Sequence, residues 1–234
     1  MRIEDCNWMQ VEKYLQGEDR LVIPLGSVEQ HGYLSLGVDR ILSERVSVEA
    51  AEPLGILVMP SLPYGLTPYF GAYPGSPTLQ VETYRALLVD LLGSLADQGF
   101  RRFLLVNGHG GNDGGRGAVE TWAEKHDGTQ VQWHNWWAGE RVRAVVNEID
   151  SDATHASWFE NFPWTRLPGV DLPSEPKPMA DVSRMRELDP HDVRELLGDG
   201  SLGGAYERPE ADVLRLWAAG VEEVRALLED GWDA

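Results

Sequence analysis

The sequence predicts an α/β fold in which a mainly parallel β-sheet is flanked by helices. Four short runs rich in apolar residues recur along the 234-residue chain, and segments with apolar residues at helical spacing separate them. Strands that alternate with helices form parallel sheets through βαβ crossovers, so helices cover both faces of such a sheet. The chain also has no internal repeat and no clear linker. We therefore expect a single domain over residues 1–234.

The first half of the chain predicts two strand–helix units. LVIPLG (21–26) predicts the first strand, and 39–55 carries apolar residues at helical spacing until Pro53 ends the helix. ILVMPSLPYG (56–65) predicts a second strand that runs into a Pro- and Gly-rich loop. Segment 76–100 has Leu and Val on one face and predicts the second helix.

The second half continues the same alternation. RRFLLVNGHGGN (101–112) predicts a third strand followed by a glycine-rich turn, 114–127 a helix, and TQVQWHNWWAG (129–139) a fourth strand. The Pro-rich segment 162–185 lacks a clear period and is predicted to be an ordered loop or a subunit contact. Segment 211–232 is strongly amphipathic and predicts a C-terminal helix.

Composition limits the classes of partner. Lys and Arg number 20 against 38 Asp and Glu, a net charge of −18, which disfavours binding to nucleic acid or to an anionic membrane. The acidity fits plain solubility, and it also fits attraction of metal cations. No window approaches ~18 uninterrupted apolar residues, and the acidic start does not resemble a signal peptide. Cys6 is the only cysteine, so we expect no internal disulfide and a cytoplasmic location.

Three polar clusters are predicted to lie at the carboxyl ends of strands, where open parallel sheets bind ligands. The clusters are Glu29-Gln30-His31 with Asp39, the motif NGHGGN (107–112), and His155-Ala156-Ser157-Trp158-Phe159-Glu160.

Each cluster has a simpler interpretation when taken alone. The first could be an exposed loop and the third a solvated helix start, while NGHGGN could cradle a phosphate of a nucleotide. That motif lacks the Lys-Ser/Thr of a P-loop, however. Together, two or three carboxylates and two imidazoles form a mixed oxygen and nitrogen ligand set suited to Zn²⁺, Mn²⁺ or Fe²⁺. A carboxylate such as Asp39 has two oxygens and can bridge two ions.

Three motifs, in this order and spacing, resemble the creatininase (creatinine amidohydrolase) family: PLGSVEQHG with its following Asp, NGHGGN and HASWFEN. The resemblance covers about residues 20–165. It implies a three-layer α/β fold, two divalent metal ions (Zn, Mn or Fe), hydrolytic opening of a ring or amide, and a homo-oligomer, with a hexamer suspected. By position, Glu29, His31, Asp39 and His109 match metal ligands with Asp39 as the bridge, and His155 matches the proton-transfer histidine.

The chain also departs from the family pattern around the implied site. Gly111 stands where creatininase has a further metal-binding glutamate, so we take Glu160 as the replacement carboxylate and, with His155, as a catalytic candidate. The loop before Asp39 is one residue shorter than usual. The usual FPGT motif is YPGS here, from Tyr73 to Ser76. These changes argue against creatinine as the natural substrate.

Tryptophans supply candidate substrate contacts. The chain has nine, and Trp136 and Trp137 follow the fourth predicted strand. Core packing or a subunit interface would explain them, and so would an apolar lid over a small cyclic substrate. Because tryptophans flank the substrate in creatininase, we expect Trp136 and Trp137, together with Tyr73 and Ser76, to bind substrate.

The favoured hypothesis is a metal-dependent amidohydrolase that opens a C–N bond of a small cyclic amide, amidine or formamide with metal-activated water. One alternative within the family is hydrolytic C–C ring opening of an inositol-derived cyclic ketone. A second alternative is a non-catalytic metal-binding relative, and a third is a nucleotide-binding protein that uses NGHGGN.

Overall fold

One parallel sheet forms the centre of the protein. The computed structural model describes residues 1–185 and 187–232, with the backbone alone at residue 184. Within these residues the sheet has four strands in the order β2-β1-β3-β4, and every neighbouring pair is parallel. The strands are β1 (Arg20–Leu25), β2 (Leu57–Val58), β3 (Arg102–Asn107) and β4 (Gln130–Asn135). The predicted α/β class is confirmed.

Helices cover both faces of this sheet and produce three layers. Six helices form these layers: α1 (Trp8–Tyr14), α2 (Val38–Ala51), α3 (Val81–Gln98), α4 (Arg116–Ala123), α5 (Glu140–Ile149) and α8 (Glu210–Asp230). The short helices α6 (Val182–Met185) and α7 (Pro190–Leu197) pack with Phe70 and Tyr73 in a separate cluster. Helices α2, α5 and α8 share one hydrophobic cluster with the sheet, while α1, α3 and α4 contribute to the cluster on the opposite face.

Alternation along the central strands builds these two cores. In β3, Leu104 and Val106 belong to the α2/α5/α8 side, whereas Phe103 and Leu105 belong to the α3/α4 side. Successive side chains of a strand point to opposite faces, so a strand buried on both faces must be apolar throughout. This explains the uninterrupted apolar runs in the sequence.

The register brings three strand ends side by side. Leu25 at the end of β1 lies opposite Asn107 at the end of β3, and Asn107 lies opposite Asn135 at the end of β4. The chain segments that follow these strands therefore leave the sheet at one edge and at one level.

Several element bounds differ from the sequence expectation. The second predicted strand is reduced to Leu57–Val58, because the prolines that follow it lack the N–H group a ladder needs. The second long helix begins at Val81 rather than near 76. Helices α1 and α5 had no counterpart in the sequence prediction. Residues 162–181 contain no helix or strand, but α6 (Val182–Met185) occupies the end of the segment 162–185, so the loop prediction is wrong for those four residues.

The C-terminal helix α8 is confirmed and packs against α2 and α5. No helix in the described part of the chain has the length and apolar character needed to cross a membrane.

Candidate metal centre

Four chain segments converge where the sheet ends. Glu29 and His31 lie in the loop after β1, Asp39 in the first turn of α2, His109 directly after β3, and Glu160 in the 3-10 turn Trp158–Glu160. Glu29, His31, Asp39 and His109 are each at most 7 % exposed, and the Glu160 side chain is 13 % exposed. We call these five residues the five-residue cluster.

Asp39 lies at the middle of the cluster. Its Oδ1 is 3.0 Å from His31 Nε2, and its Oδ2 is 3.0 Å from His109 Nδ1. Ser27 Oγ donates a 2.6 Å hydrogen bond to Oδ2 and so fixes the carboxylate plane. One oxygen therefore faces each imidazole, which is the arrangement a bridging carboxylate requires.

Backbone carbonyls orient both imidazoles. The Nδ1 atom of His31 lies 3.0 Å from the carbonyl oxygen of Glu29, and the Nε2 atom of His109 lies 2.8 Å from the carbonyl oxygen of Leu66. A ring nitrogen that donates its proton to a carbonyl leaves the other nitrogen as a lone-pair ligand. Both remaining nitrogens face Asp39.

The two outer carboxylates complete two triads that share Asp39. One triad, the His109 triad, is Glu29, Asp39 and His109, and the other, the His31 triad, is His31, Asp39 and Glu160; in each, the ligand atoms lie within 4.8 Å of one another. Glu29 Oε2 is 3.4 Å from His109 Nε2, and Glu160 Oε2 is 3.8 Å from His31 Nε2. The sequence prediction that these five side chains converge agrees with this geometry.

Protons carry the positive charge of the cluster when no cation is present. Burial raises the pKa of Glu29 to about 8 and that of Glu160 to about 7. Burial alone would lower the pKa of His31 and His109, but the neighbouring carboxylates outweigh it and raise these values to about 10 and about 9. Burial likewise opposes ionisation of Asp39, yet the two imidazolium groups hold its pKa well below the usual range.

Two buried polar atoms test whether the cluster fits a metal. Glu29 Oε2 and His31 Nε2 are inaccessible to solvent, and within the described residues each faces an ionisable group, His109 at 3.4 Å and Asp39 at 3.0 Å, without a well-aligned hydrogen bond. Buried polar atoms that lack such bonds are costly, and coordination to a divalent cation would satisfy both. Carboxylate and imidazole donors without cysteine suit Zn²⁺ or Mn²⁺. The residues present fit a two-ion site.

His155 lies beside the cluster with a defined proton position. The Gln30 side chain is oriented by Gly32 N–H, which donates to Oε1, and by the Gly200 carbonyl, which accepts from Nε2. The Gln30 Nε2 group therefore donates its second proton to His155 Nε2, at 2.8 Å.

This leaves the His155 proton on Nδ1, which lies 3.6 Å from Glu29 Oε1. Burial lowers the pKa of His155 well below its ordinary value, so its imidazole is neutral. The Phe70 ring stacks on it at a centroid distance of 4.9 Å.

Glycine is required within NGHGGN for close packing. A Cβ on Gly108 would lie 2.3 Å from the Asp39 carbonyl oxygen, and one on Gly111 would lie 1.8 Å from the Leu66 carbonyl oxygen and 2.6 Å from His109 Nε2. No side chain fits at position 111 with this backbone. The Glu160 carboxylate reaches the cluster from a separate loop, and its Oε2 accepts a 2.6 Å hydrogen bond from Ala156 N–H.

A cavity of about 1080 Å³ opens onto the cluster. Glu29, Asp39, His109, His155 and Glu160 line its polar end. Its walls are largely apolar, and they comprise Leu66, Pro68, Tyr69, Phe70, Leu79, Trp137, Val146, Phe159, Met185 and Leu202 among others.

The predicted substrate contacts divide between this cavity and the core. Trp137 lines the cavity, whereas Trp136, Tyr73 and Ser76 are absent from its described lining. Trp136 is 1 % exposed and packs on Phe159, Phe162 and Trp217. The Tyr73 hydroxyl donates to the Gly198 carbonyl, and Ser76 Oγ accepts from Gln30 N–H. Of the four, only Trp137 is placed to touch a ligand in this cavity.

Sequence reasoning gave no role to Ser27, Gln30, Asn107 or Asn112. The Asn107 side chain bonds to both backbone groups of His109: its Nδ2 donates to the His109 carbonyl, and its Oδ1 accepts from His109 N–H. Asn112 Nδ2 donates to Asn107 Oδ1 and to the Gly26 carbonyl. Their position inside the same motifs as the candidate ligands was the only feature of the sequence that could have indicated a role. A side chain that holds a neighbouring ligand by hydrogen bonds produces no periodic pattern in the sequence.

Comparisons with known proteins agree with this geometry. The family model described as "Creatininase: Creatinine amidohydrolase" matches residues 4–232. Creatinine amidohydrolase of Pseudomonas putida is 33 % identical over 114 residues, covering 46 % of this chain and 44 % of that protein. The 3-dehydro-scyllo-inosose hydrolase of Thermotoga maritima is 33 % identical over 103 residues, covering 43 % and 33 %. These matches thus span less than half of each relative.

Solved structures extend the likeness to the whole fold. A tryptophan-to-phenylalanine mutant creatininase superposes with a TM-score of 0.82 at 20 % identity, covering 100 % of this chain and 99 % of the other. "Creatininase Mn" and a creatininase mutant of "Zn-Zn type" each give 0.79 at 21 % identity, with this chain covered to 100 % and the others to 99 % and 98 %. Since the family model covers nearly the entire sequence and the fold agrees, this chain belongs to the creatininase (creatinine amidohydrolase) family.

Proposed function

We propose that this protein is a two-metal hydrolase that opens a C–N bond of a small cyclic amide, amidine or formamide. The observation that carries the proposal is the position of Asp39, whose two oxygens each face one imidazole and belong to one triad each. A lone structural ion would need one set of ligands, and two sets sharing a carboxylate are what a pair of ions requires. The likeness to creatininases named for Mn and Zn supports the same assignment.

The His109 triad would hold one ion and the His31 triad the other. Divalent ions bound there would lower the pKa of water and polarise the substrate carbonyl. The position of Glu160 in the His31 triad weighs against a non-catalytic relative, for which the motives were the glycine at position 111 and the shortened loop before Asp39.

The chain's own side chains would handle the proton and the substrate. His155 carries its proton on Nδ1, facing Glu29, and Gln30 holds the opposite nitrogen. The neutral imidazole would first have to take up the proton released by the attacking water, and it would then pass a proton to the leaving nitrogen. Phe70 fixes the plane of the ring from one side. The apolar walls, Trp137 among them, exclude water and pack against the body of the substrate.

Hydrolytic C–C ring opening of a cyclic polyol ketone is the second candidate. Two observations favour it: the 33 % identity to the 3-dehydro-scyllo-inosose hydrolase and the segment HASWFENFPWTR (155–166), which departs from the usual family pattern. By the resemblance, we also propose a single-domain, cytoplasmic homo-oligomer, with a hexamer as the expected assembly.

The deciding experiment is a metal-dependent turnover assay. We expect protein reconstituted with Mn²⁺ or Zn²⁺ to hydrolyse one of two substrate sets, cyclic amides with formamides or inosose-type ketones. We expect the chelated protein to be inactive and Glu29→Gln to stay inactive after reconstitution. Protein that takes up no transition metal, or that turns over neither set when fully loaded, contradicts the proposal.

Metal uptake should release protons. At neutral pH, Glu29, His31 and His109 hold protons in the metal-free protein, because their pKa values of about 8, 10 and 9 lie above 7. The three side chains must lose these protons to bind a cation. Metal affinity should therefore increase as the pH rises towards their pKa values, and it should decrease as the pH falls below them.

This is measured by titrating Zn²⁺ into weakly buffered protein and recording acid release with a pH-stat. Glu29→Gln should release fewer protons than the unmodified chain. The control variant Glu12→Gln, which changes an exposed surface residue, should release as many protons as the unmodified chain. Metal uptake with no acid release would show that the cluster is not the binding site.

A further inference from the structure

The side chain of Arg143 in α5 has no hydrogen-bond, ion-pair or stacking partner among the residues that the structure describes. Among the arginines whose side chains the structure describes, it alone has no hydrogen bond, ion pair or stacked ring. Arg141, two residues earlier, pairs with Glu222 at 3.6 Å. Arg143 is exposed, so water solvates its guanidinium and the group is free to bind a ligand.

The position of Arg143 connects it with the cavity at the five-residue cluster. It lines the same cavity as Glu29, Asp39 and Glu160, and it is the only Lys or Arg in the described lining. Val146 and Asn147 line the cavity from the same helix, as expected for residues three and four positions apart. One face of α5 thus forms a cavity wall with a cation on it.

The guanidinium is also separate from the five-residue cluster. Arg143 forms no ion pair with the cluster carboxylates, so its nitrogens lie beyond 4.0 Å from their oxygens. Arg143 and Asn147 also line a smaller cavity of about 540 Å³ with Ala138, Glu140 and Ala144. The cation therefore marks a second polar location in the cavity, apart from the place where the bond would break.

We propose that Arg143 binds an anionic oxygen group, a carboxylate or a phosphate, on the part of the substrate remote from the hydrolysed bond. The planar guanidinium fork matches both groups and binds them with two parallel hydrogen bonds, and the Asn147 amide on the next turn can add a third donor. The inference rests on the proposed function and narrows it: the substrate is a small acid with a reactive carbonyl at one end, rather than a neutral ring.

The test uses metal-chelating probes and needs no knowledge of the substrate. Three alkyl hydroxamates of equal length are titrated into the Zn²⁺-loaded protein by calorimetry; their far ends are a carboxamide, a carboxylate and a phosphonate. We expect at least one acidic probe to bind more tightly than the carboxamide. Arg143→Gln should weaken that probe about tenfold, in line with a charge-assisted hydrogen bond, and leave the carboxamide probe unchanged.

Arg141→Gln is the matched control and should change none of the three affinities. The acidic probe with the larger loss in Arg143→Gln identifies the group as carboxylate or phosphate. Tight carboxamide binding with no preference for either acid, or equal weakening of all three probes in Arg143→Gln, overturns the inference while the metal site stands. Absence of metal uptake and of binding by every probe would instead refute the proposed function itself.

Discussion

Replacing Asp39 with asparagine should remove both metal ions at once. Asp39 belongs to both triads, and each of its oxygens lies 3.0 Å from a different imidazole. An amide keeps the shape, but it presents an NH₂ group to one of the two ions and carries no charge. Loss of a residue that only orients a direct ligand already lowers metal affinity about 10–100-fold. Loss of the ligand that both ions share should therefore lower the affinity for each ion by more than about 100-fold.

Metal content measured by mass spectrometry after dialysis would check this, together with turnover on whichever substrate set proves active. Asp90→Asn is the control, because Asp90 is an exposed residue of α3 and has no link to the cluster. Retention of two ions per chain in Asp39→Asn would refute the bridging role.

Glu160→Gln should remove one ion and leave the other. Glu160 contributes to the His31 triad, whereas the His109 triad takes its outer carboxylate from Glu29. The expected content is therefore one ion per chain, with turnover strongly reduced because the second ion no longer helps to position the water and to stabilise the charge that develops on the substrate. The amide oxygen can still accept from Ala156 N–H, as Glu160 Oε2 does at 2.6 Å, so the loop should keep its shape.

Glu29→Gln is the mirror variant and should lose the ion at the His109 triad. Thermal unfolding of both variants after metal removal separates a ligand defect from a folding defect. If Glu160→Gln binds two ions as tightly as the unmodified chain, then the carboxylate missing at Gly111 has no replacement in this segment.

Local sequence patterns predicted the strands β1, β3 and β4 better than the helix α5 and the length of the edge strand β2. Strands β1, β3 and β4 were found because their apolar or alternating runs reflect burial, which a short window of sequence records. Helix α5 was missed because half of ERVRAVVNEI is polar and the helix buries only Val142 and Val146. The length of β2 depended on the prolines after it, which turn an apolar run into a loop.

The five cluster residues were predicted from motif resemblance and residue chemistry, and their convergence followed from the rule that parallel strands present ligands at one edge. The substrate contacts were predicted less well, since Trp136 and Trp137 are neighbours in sequence and yet one is in the core while the other lines the cavity.

Residue types and their order along the chain were enough to predict the α/β class, the family and a candidate donor set, because these depend on local burial patterns and on short contiguous motifs. Only the folded chain showed that Asp39 turns one oxygen to each histidine and that the Leu66 carbonyl forbids a side chain at Gly111. It also showed that Arg143 lines the cavity at the five-residue cluster and has no partner among the described residues. These features are distances between segments far apart in sequence. Packing of α2, α5 and the loops against the sheet sets them, and no periodicity of a single segment records that packing.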